Sequence, residues 1–264
     1  MSNDPSQWED LGDFSALVDI VAKLRAPDGC PWDREQTHAS LKTYLIEETY
    51  EVLHALDEEN APKLCEELGD LLLQIMLHAQ IGSELGEFDI RDVVRGIATK
   101  LVRRHPHVFG DSDAGSAAEV AREWEKIKED EREPGASLLS NVPKGMPALS
   151  YSHSIQRRAA GVGFDWRRYE DVVDKLAEEL RELELAGSRE ERIHEFGDLL
   201  FALVNVARWH DINLEEALRL ANERFCRRFG YMEEACRKKG VRLERLSLEE
   251  QDALWDEAKA TLEG

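Results

Sequence analysis

The segment CEELGDLLLQIMLHA, residues 65–79, and its second copy HEFGDLLFALVNVA, residues 194–207, decide the fold. Apolar residues recur in both segments at the three- and four-residue spacing of an amphipathic helix. Each copy also contains a glutamate followed three positions later by an aspartate, so these two carboxylates lie on one helix face. Both segments are therefore predicted to be helices that carry acidic groups into an apolar environment.

Apolar residues at helical spacing also precede each of the two segments. They include Leu41, Leu45 and Val52 before the first and Val172, Leu176 and Leu180 before the second. No part of the sequence shows several short alternating runs separated by turn residues, which is the pattern typical of a sheet. The sequence therefore predicts an all-α fold.

The two halves of the chain repeat each other in four blocks that occur in the same order. The matched ranges are 43–56 with 175–186, 65–79 with 194–207, 100–106 with 224–230, and 123–128 with 254–259. A proline- and glycine-rich segment separates the halves, and such residues interrupt helices. We predict two tandem helical-bundle domains from an internal duplication, residues 1–131 and 151–264, joined by a linker at 132–150.

Charge and composition exclude several classes of protein. The 264 residues carry 34 Lys and Arg against 55 Asp and Glu, a net charge of -21, which disfavours nucleic-acid and anionic membrane partners. The most apolar stretches are far shorter than the roughly 20 residues of a membrane span, and the first residues lack the pattern of a secretory signal. The four cysteines form no Cys-x-x-Cys pair. We expect a cytoplasmic protein with reduced thiols.

The acidic residues of the second half predict a metal site. Glu179 and Glu182 share a helix face, and Glu195 and Asp198 do so on the next helix. A buried group of carboxylates needs a cation, and an oxygen-only ligand set suits Mg²⁺, with Mn²⁺ as an alternative. The first half repeats the set as Glu48, Glu51, Glu67 and Asp70.

Two glycines stand between the paired carboxylates. Gly69 and Gly197 each follow the glutamate by two positions, and a glycine in a helix interior costs roughly 1 kcal/mol relative to alanine. Their recurrence predicts a close approach of two helices or access for a ligand.

Basic and aromatic residues of the second half are candidates for contacts with a phosphorylated ligand. Arg224 and Arg228 lie one helical turn apart, Lys175 lies one turn before Glu179, Trp255 offers a ring that stacks on a base, and Lys259 follows one turn later. The first half carries Lys100, Arg104, Trp124 and Lys128 at matching positions. Glu178, beside the metal ligands, is the candidate base that orients a water molecule.

Other site chemistries find little support in the sequence. No phosphate-binding loop, dinucleotide-binding glycine turn or nucleophile elbow is present. Glu-x-x-His occurs at Glu51–His54 and Glu191–His194, a spacing that is also found in di-iron bundles. These two instances fall at non-equivalent positions of the repeat, so we interpret them as coincidence.

The sequence resembles the MazG family of nucleoside triphosphate pyrophosphohydrolases in its two-domain bacterial form. The resemblance covers nearly the whole chain and rests on CPWDREQTHASLKTYLIEETYE, RRHPHVFGD, EWEKIK, NVPKGMPAL and AAGVGFDW, besides the acidic segments. It implies an all-α, Mg²⁺-dependent, cytoplasmic homodimer. It also implies cleavage of nucleoside triphosphates, standard or damaged, to nucleoside monophosphate and pyrophosphate.

The resemblance further implies a division between the two copies. The C-terminal copy is expected to be catalytic, with the four carboxylates from Glu179 to Asp198 as metal ligands and Lys175, Arg224, Arg228 and Trp255 as nucleotide contacts. The N-terminal copy is expected to serve structure and dimerisation. From Glu51 to Glu67 the chain is three residues longer than from Glu182 to Glu195, which predicts a longer N-terminal loop at Asp57.

Two alternatives remain open on the sequence alone. One is an enzyme that removes a single damaged or non-canonical nucleotide. The other is a non-catalytic helical module that binds a nucleotide or regulates a partner. Complete carboxylate sets disfavour the second alternative, because a module without turnover does not need four carboxylates on two facing helices.

Overall fold

The structure, a computed structural model, describes residues 11–113, 115–131 and 135–262. Every regular element in these ranges is a helix, which confirms the all-α prediction. The chain divides into two compact units, Met1–Arg132 and Glu133–Gly264.

The first unit is built around a pair of helices packed against each other, α3 and α4. Its helices are α1 (Phe14–Arg25), α2 (Pro31–Glu35), α3 (Leu41–Asp57), α4 (Ala61–Leu85), α5 (Ile90–Arg104), α6 (Pro106–Phe109) and α7 (Ala117–Asp130). Helix α1 packs on α4, and the core between α1, α3 and α4 consists of Val21, Leu41, Met76, Leu77 and Ile81.

The second unit is built around the equivalent pair, α9 and α10. Its helices are α8 (Ala148–Gly161), α9 (Tyr169–Leu185), α10 (Arg189–Trp209), α11 (Leu214–Lys239) and α12 (Leu248–Leu262), with a 3-10 turn at Leu243–Arg245. Helix α8 packs on α10, and α11 packs on α12 around Met232, Cys236 and Leu254.

The duplication appears directly in the order of the helices. The four matched blocks fall on α3 and α9, α4 and α10, α5 and α11, and α7 and α12. Each acidic segment therefore occupies the second helix of a packed pair.

Polar side chains fix the N-terminus of helix α10, which carries half of the acidic site. Ser188 accepts a hydrogen bond from the backbone amide of Glu191, and the Glu191 carboxylate accepts from the backbone amide of Ser188. This reciprocal capping box satisfies amides that the first helical turn leaves without partners. The preceding helix α9 ends at Leu185, so only residues 186–188 connect the pair.

The expectation of a longer N-terminal loop is wrong. Residues 58–60 connect α3 to α4, and residues 186–188 connect α9 to α10, three residues in each case. The extra residues of the first copy extend helix α3 instead, because α3 continues six residues beyond Glu51 whereas α9 continues three beyond Glu182. A loop over the first carboxylate set therefore does not distinguish the copies.

The predicted linker differs from the structure in its C-terminal part. Residues 132–134 lie outside the described residues, but the segment that follows packs on the second unit. Val142 is buried, and Arg158 of α8 donates hydrogen bonds to the backbone oxygens of Leu138 (3.1 Å) and Asn141 (3.2 Å). Helix α8 begins at Ala148, three residues before the predicted domain start.

Within the described residues, no helix has both the length and the apolar character needed to cross a membrane.

Candidate active site

Three of the four predicted metal ligands of the second unit lie together. Glu179 and Glu182 on α9 and Glu195 on α10 offer carboxylate oxygens that all lie within 4.8 Å of one another. The packing of α9 on α10 brings them together, because each residue faces the partner helix at one end of the pair. Glu179 is 5% exposed, so this cluster extends from the surface into the interior.

The fourth predicted ligand, Asp198, joins the cluster through Glu195. Glu195, Asp198 and His194 form a second group whose ligand atoms lie within 4.8 Å, so Glu195 belongs to both groups. His194 Nδ1 lies 3.0 Å from Asp198 Oδ2. His194 was not predicted to be a site residue, although its position one turn before Asp198 is a visible signal. In the first copy Glu66 holds the equivalent position.

Lys175 supplies positive charge to the cluster. Its Nζ lies 2.7 Å from Glu179 Oε1 and 2.9 Å from Glu178 Oε1. The hydrogen bonds to these two carboxylates raise the pKa of Lys175 above its usual value, Glu179 contributing most. Glu178 is exposed and bound to Lys175, so the candidate base and the candidate phosphate contact are held next to each other.

Negative charge is not fully compensated in this cluster. Burial raises the pKa of the Glu182 carboxyl above its usual value, and the charge of Glu179 raises it further, while Lys175 acts in the opposite direction. A bound cation removes this penalty by pairing with the ionised form. The donor set consists of oxygen atoms, with one imidazole at its edge, and it fits a hard divalent cation such as Mg²⁺.

The first unit repeats the carboxylate cluster without the lysine. Glu48, Glu51 and Glu67 place ligand atoms within 4.8 Å, and burial raises the pKa of both Glu48 and Glu67. The charge of Asp70 raises the pKa of Glu48 further, so Asp70 acts on the same cluster. Tyr44 stands one turn before Glu48, where the second copy has Lys175.

One of the two interpretations of the recurring glycines Gly69 and Gly197 is wrong. A Cβ atom built on Gly69 or on Gly197 meets no atom of the described residues within 4 Å, apart from the local backbone left out of that comparison. Neither glycine therefore marks a close approach of two helices within its unit. The open space beside them agrees with the other expectation, access for a ligand.

The predicted basic and aromatic contacts form a second group on α11 and α12. The guanidinium carbon of Arg228 lies 5.3 Å from the ring centre of Trp255, and the Phe225 ring lies 5.2 Å from it. Lys259 Nζ lies 2.6 Å from Asp256 Oδ1, and Arg224 is exposed on α11. The structure thus brings Arg228 and Trp255 into contact on α11 and α12. The carboxylates and Lys175 form a separate group on α9 and α10.

Three of the four corresponding residues of the first unit, Arg104, Trp124 and Lys128, contact other side chains of that unit. Arg104 forms an ion pair with Glu131, with Nη2 and Oε2 2.5 Å apart, and Arg103 pairs with the same carboxylate. Lys128 Nζ lies 4.6 Å from the ring centre of Trp124. Lys100 is exposed on α5.

Glu191, which forms a Glu-x-x-His spacing with His194, caps helix α10 in the structure. Its carboxylate accepts hydrogen bonds from the backbone amides of Gly187 (2.8 Å) and Ser188 (3.1 Å) as part of the capping box. These bonds lower the pKa of Glu191 below its usual value. The side chain therefore acts as a helix cap, and the sequence signal for that role is the Ser-x-x-Glu spacing.

A cavity of about 680 Å³ opens beside the carboxylates of the second unit. Lys175, Glu179 and Asp198 line one part of it. The remaining wall comes from Leu139, α8, α10 and the segment between α8 and α9, and it includes Gln156, Phe164, Trp166, Phe201, Asn205 and Arg208. Its volume lies within the range of small-molecule sites. The cavity has charged groups in one part and aromatic groups in another, so it suits a ligand with both anionic and aromatic parts.

Family models match both units and give the class of protein. Residues 36–109 match the model of the MazG nucleotide pyrophosphohydrolase domain, and residues 152–225 match that of phosphoribosyl-ATP pyrophosphohydrolase. Both matched segments include the paired helices with their carboxylates, so each unit is a helical pyrophosphohydrolase domain.

Relatives aligned over almost the whole chain define the family. The nucleoside triphosphate pyrophosphohydrolase/pyrophosphatase MazG of Thermotoga maritima is 49% identical over 93% of this chain and 95% of its own length. The nucleoside triphosphate pyrophosphohydrolase of Escherichia coli K12 is 43% identical over 94% of this chain and 98% of its own length. YabN of Bacillus subtilis is 51% identical over 94% of this chain and 52% of its own length. The chain belongs to the MazG family of pyrophosphohydrolases.

Proposed function

We propose that this chain hydrolyses nucleoside triphosphates, ribo and deoxy, to nucleoside monophosphate and pyrophosphate in a Mg²⁺-dependent reaction. The observation that carries the proposal is the group of carboxylate oxygens from Glu179, Glu182 and Glu195 within 4.8 Å, continued by Asp198. The names of the relatives from Thermotoga maritima and Escherichia coli support the same substrate class.

Different residues of the second unit would bind the metal ion, neutralise phosphate charge and accept a proton in such a reaction. Glu179, Glu182, Glu195 and Asp198 would hold the ion, which when bound neutralises phosphate charge and favours ionisation of a water molecule. Lys175 neutralises charge on a phosphate that enters beside Glu179, since its Nζ already lies among these groups. Glu178 accepts a proton from the attacking water, and its hydrogen bond to Lys175 fixes the carboxylate. Arg224 and Arg228 are assigned to the outer phosphates.

A panel of substrates tests this proposal against its alternatives. We expect pyrophosphate release from several of the standard ribo- and deoxyribonucleoside triphosphates in the presence of Mg²⁺ or Mn²⁺, and none in excess EDTA. Release from one modified nucleotide alone would instead identify an enzyme that removes a single damaged nucleotide. Nucleotide binding without any release would identify a non-catalytic module.

A second copy of this chain is the proposed partner. Ile193, Phe196, Leu200 and Leu203 follow each other at helical spacing on α10, and all four are exposed, Phe196 by 54%. Helix α5 exposes a similar stripe at Val93, Ile97 and Leu101. Such stripes are typical of helices that pack against another helix. We expect sedimentation equilibrium to give twice the 30.1 kDa mass of one chain, and a monomer at micromolar concentration would contradict the proposal.

We assign the enzyme to the cytoplasm, where its proposed substrates are available. The four cysteines are free thiols, Cys236 among them buried, which is compatible with a reducing compartment.

A further inference from the structure

One side of the candidate metal site offers a nitrogen atom as a ligand. His194 on α10 has its Nδ1 atom 3.0 Å from Asp198 Oδ2 and 3.7 Å from Glu195 Oε1. These three residues, which we call the histidine site, place ligand atoms within 4.8 Å of one another. The histidine site shares Glu195 with the carboxylate cluster of Glu179 and Glu182. It is therefore a direct continuation of that cluster along α10.

The distances within the histidine site fit a bound transition-metal ion. An ion with bonds of about 2.1 Å to imidazole nitrogen and carboxylate oxygen separates neighbouring ligand atoms by roughly 3.0 to 3.5 Å, depending on its coordination geometry. The two distances from His194 Nδ1 lie close to that range. The side chains of His194 and Asp198 are 75% and 46% exposed, so the site opens to solvent.

The first unit has no equivalent of the histidine site among its described residues. Glu66 stands where the second copy has His194, and the group that could hold a metal there contains carboxylates alone. His54 of α3 forms a similar exposed i, i+4 pair, with Nε2 3.3 Å from Glu58 Oε1. Unlike His194, it belongs to no group of three potential metal ligands among the described residues. A surface ion pair thus accounts for His54, whereas two carboxylates converge on Nδ1 of His194.

We propose that His194 is a metal ligand and that the histidine site binds a first-row transition-metal ion, such as Mn²⁺, Co²⁺ or Zn²⁺, in preference to Mg²⁺. The proposal rests on the metal assignment within the proposed function and names the class of ion that one part of the site selects. Imidazole is a good ligand for transition-metal ions, whereas Mg²⁺ is bound through oxygen atoms. Glu179 and Glu182 offer oxygen atoms alone, so Mg²⁺ can still bind beside the histidine site.

Calorimetric titration of the nucleotide-free protein with Co²⁺ and, separately, with Mg²⁺ tests this proposal. His194→Gln should weaken the tightest Co²⁺ binding at least about tenfold, the lower limit of the loss seen even when a residue that only hydrogen-bonds to a metal ligand is replaced. The Mg²⁺ affinity should stay close to that of the wild-type protein. His194→Glu restores a charged oxygen ligand without the nitrogen, so it should show the same loss for Co²⁺ and keep its Mg²⁺ affinity.

His54→Gln is the matched control. It also removes an exposed imidazole that pairs with a carboxylate four residues away, but it leaves the histidine site unchanged. Its affinities for both ions should equal those of the wild-type protein. Nuclear magnetic resonance gives a second measurement. In the Co²⁺-loaded wild-type protein the ring protons of His194 should show large paramagnetic shifts, and these signals should be missing from His194→Gln.

The outcomes separate this inference from the proposed function. Unchanged Co²⁺ affinity in His194→Gln, an equal loss in His54→Gln, or full Co²⁺ affinity in His194→Glu overturns the assignment of His194. Pyrophosphate release by the wild-type protein would leave the proposed function intact in each of these cases. Co²⁺ binding that depends on His194, in a protein that releases no pyrophosphate from any nucleoside triphosphate, would support the histidine site and overturn the proposed function.

Discussion

Glu179→Gln and Asp198→Asn should each lower Mg²⁺-dependent pyrophosphate release at least about a hundredfold, the loss typical for removal of one preorganised charge-stabilising group. Each substitution removes one anionic oxygen from the cluster that Glu195 joins together. The remaining ligands then hold a divalent cation less tightly and position it less well. The rate of release at saturating Mg²⁺ measures the effect, and a near-normal rate in either variant would show that the metal assignment is wrong.

Both variants should remain folded. Glu179→Gln relieves repulsion with Glu182, and Lys175 keeps its ion pair with Glu178 at 2.9 Å. In the wild-type protein Mg²⁺ should raise the melting temperature more than NaCl of equal ionic strength, because a specific ligand stabilises by about 2.7 kcal/mol at a hundredfold excess over Kd. This difference should be lost in both variants. Glu184→Gln, on an exposed part of α9, is the control that removes one charge and keeps the difference.

The second large effect concerns the division between the two copies. Glu179→Gln/Glu182→Gln should abolish turnover, whereas Glu48→Gln/Glu51→Gln should leave most of it. The structure offers a physical reason that the carboxylates alone do not, since both copies assemble three of them within 4.8 Å. The second copy adds Lys175 at 2.7 Å from Glu179, and the first has Tyr44 at that position. Without a lysine at this position, less of the negative charge that a triphosphate meets is compensated. Lys63 acts on Glu67, but it also pairs with Glu58.

The comparison of the two double variants is made in the full-length chain under identical Mg²⁺ and substrate concentrations. Circular dichroism establishes that both variants keep their helical content. Equal halving of the rate by the two pairs would mean that both copies are active. Abolition by Glu48→Gln/Glu51→Gln alone would transfer the site to the first unit.

Much of the fold follows from the spacing of apolar residues. The apolar stripes at Leu41–Val52 and Val172–Leu180 predicted α3 and α9, and the two acidic segments predicted α4 and α10. These predictions were possible because the periodicity of a helix is visible in a short stretch of sequence. The position of the extra residues between Glu51 and Glu67 was not predictable in the same way. Whether they extend a helix or a loop depends on where α3 finds a cap, and the count of residues is the same in both cases.

The candidate site was predictable in its charges and not in its contacts. Recurrence in both halves indicated the carboxylates, and the structure places Glu179, Glu182 and Glu195 together. The ion pair of Lys175 with Glu179 follows from their i, i+4 spacing, but Gln156 looks like any polar residue on an amphipathic helix. Only the packing of α8 on α10 shows that its amide is buried and bound to the backbone of Phe201.

Helix α10 carries two carboxylates of the candidate metal cluster and part of the cavity wall. Glu195 and Asp198 lie toward its N-terminus, whereas Phe201, whose backbone oxygen holds Gln156, and Asn205 lie further along. Seven residues separate Asp198 from Asn205, and at the rise of an α-helix this amounts to about 10 Å along the axis. A helix resists stretching, so the distance between the carboxylates and this part of the cavity wall is fixed. A ligand that contacts both Asp198 and Asn205 must therefore span that length.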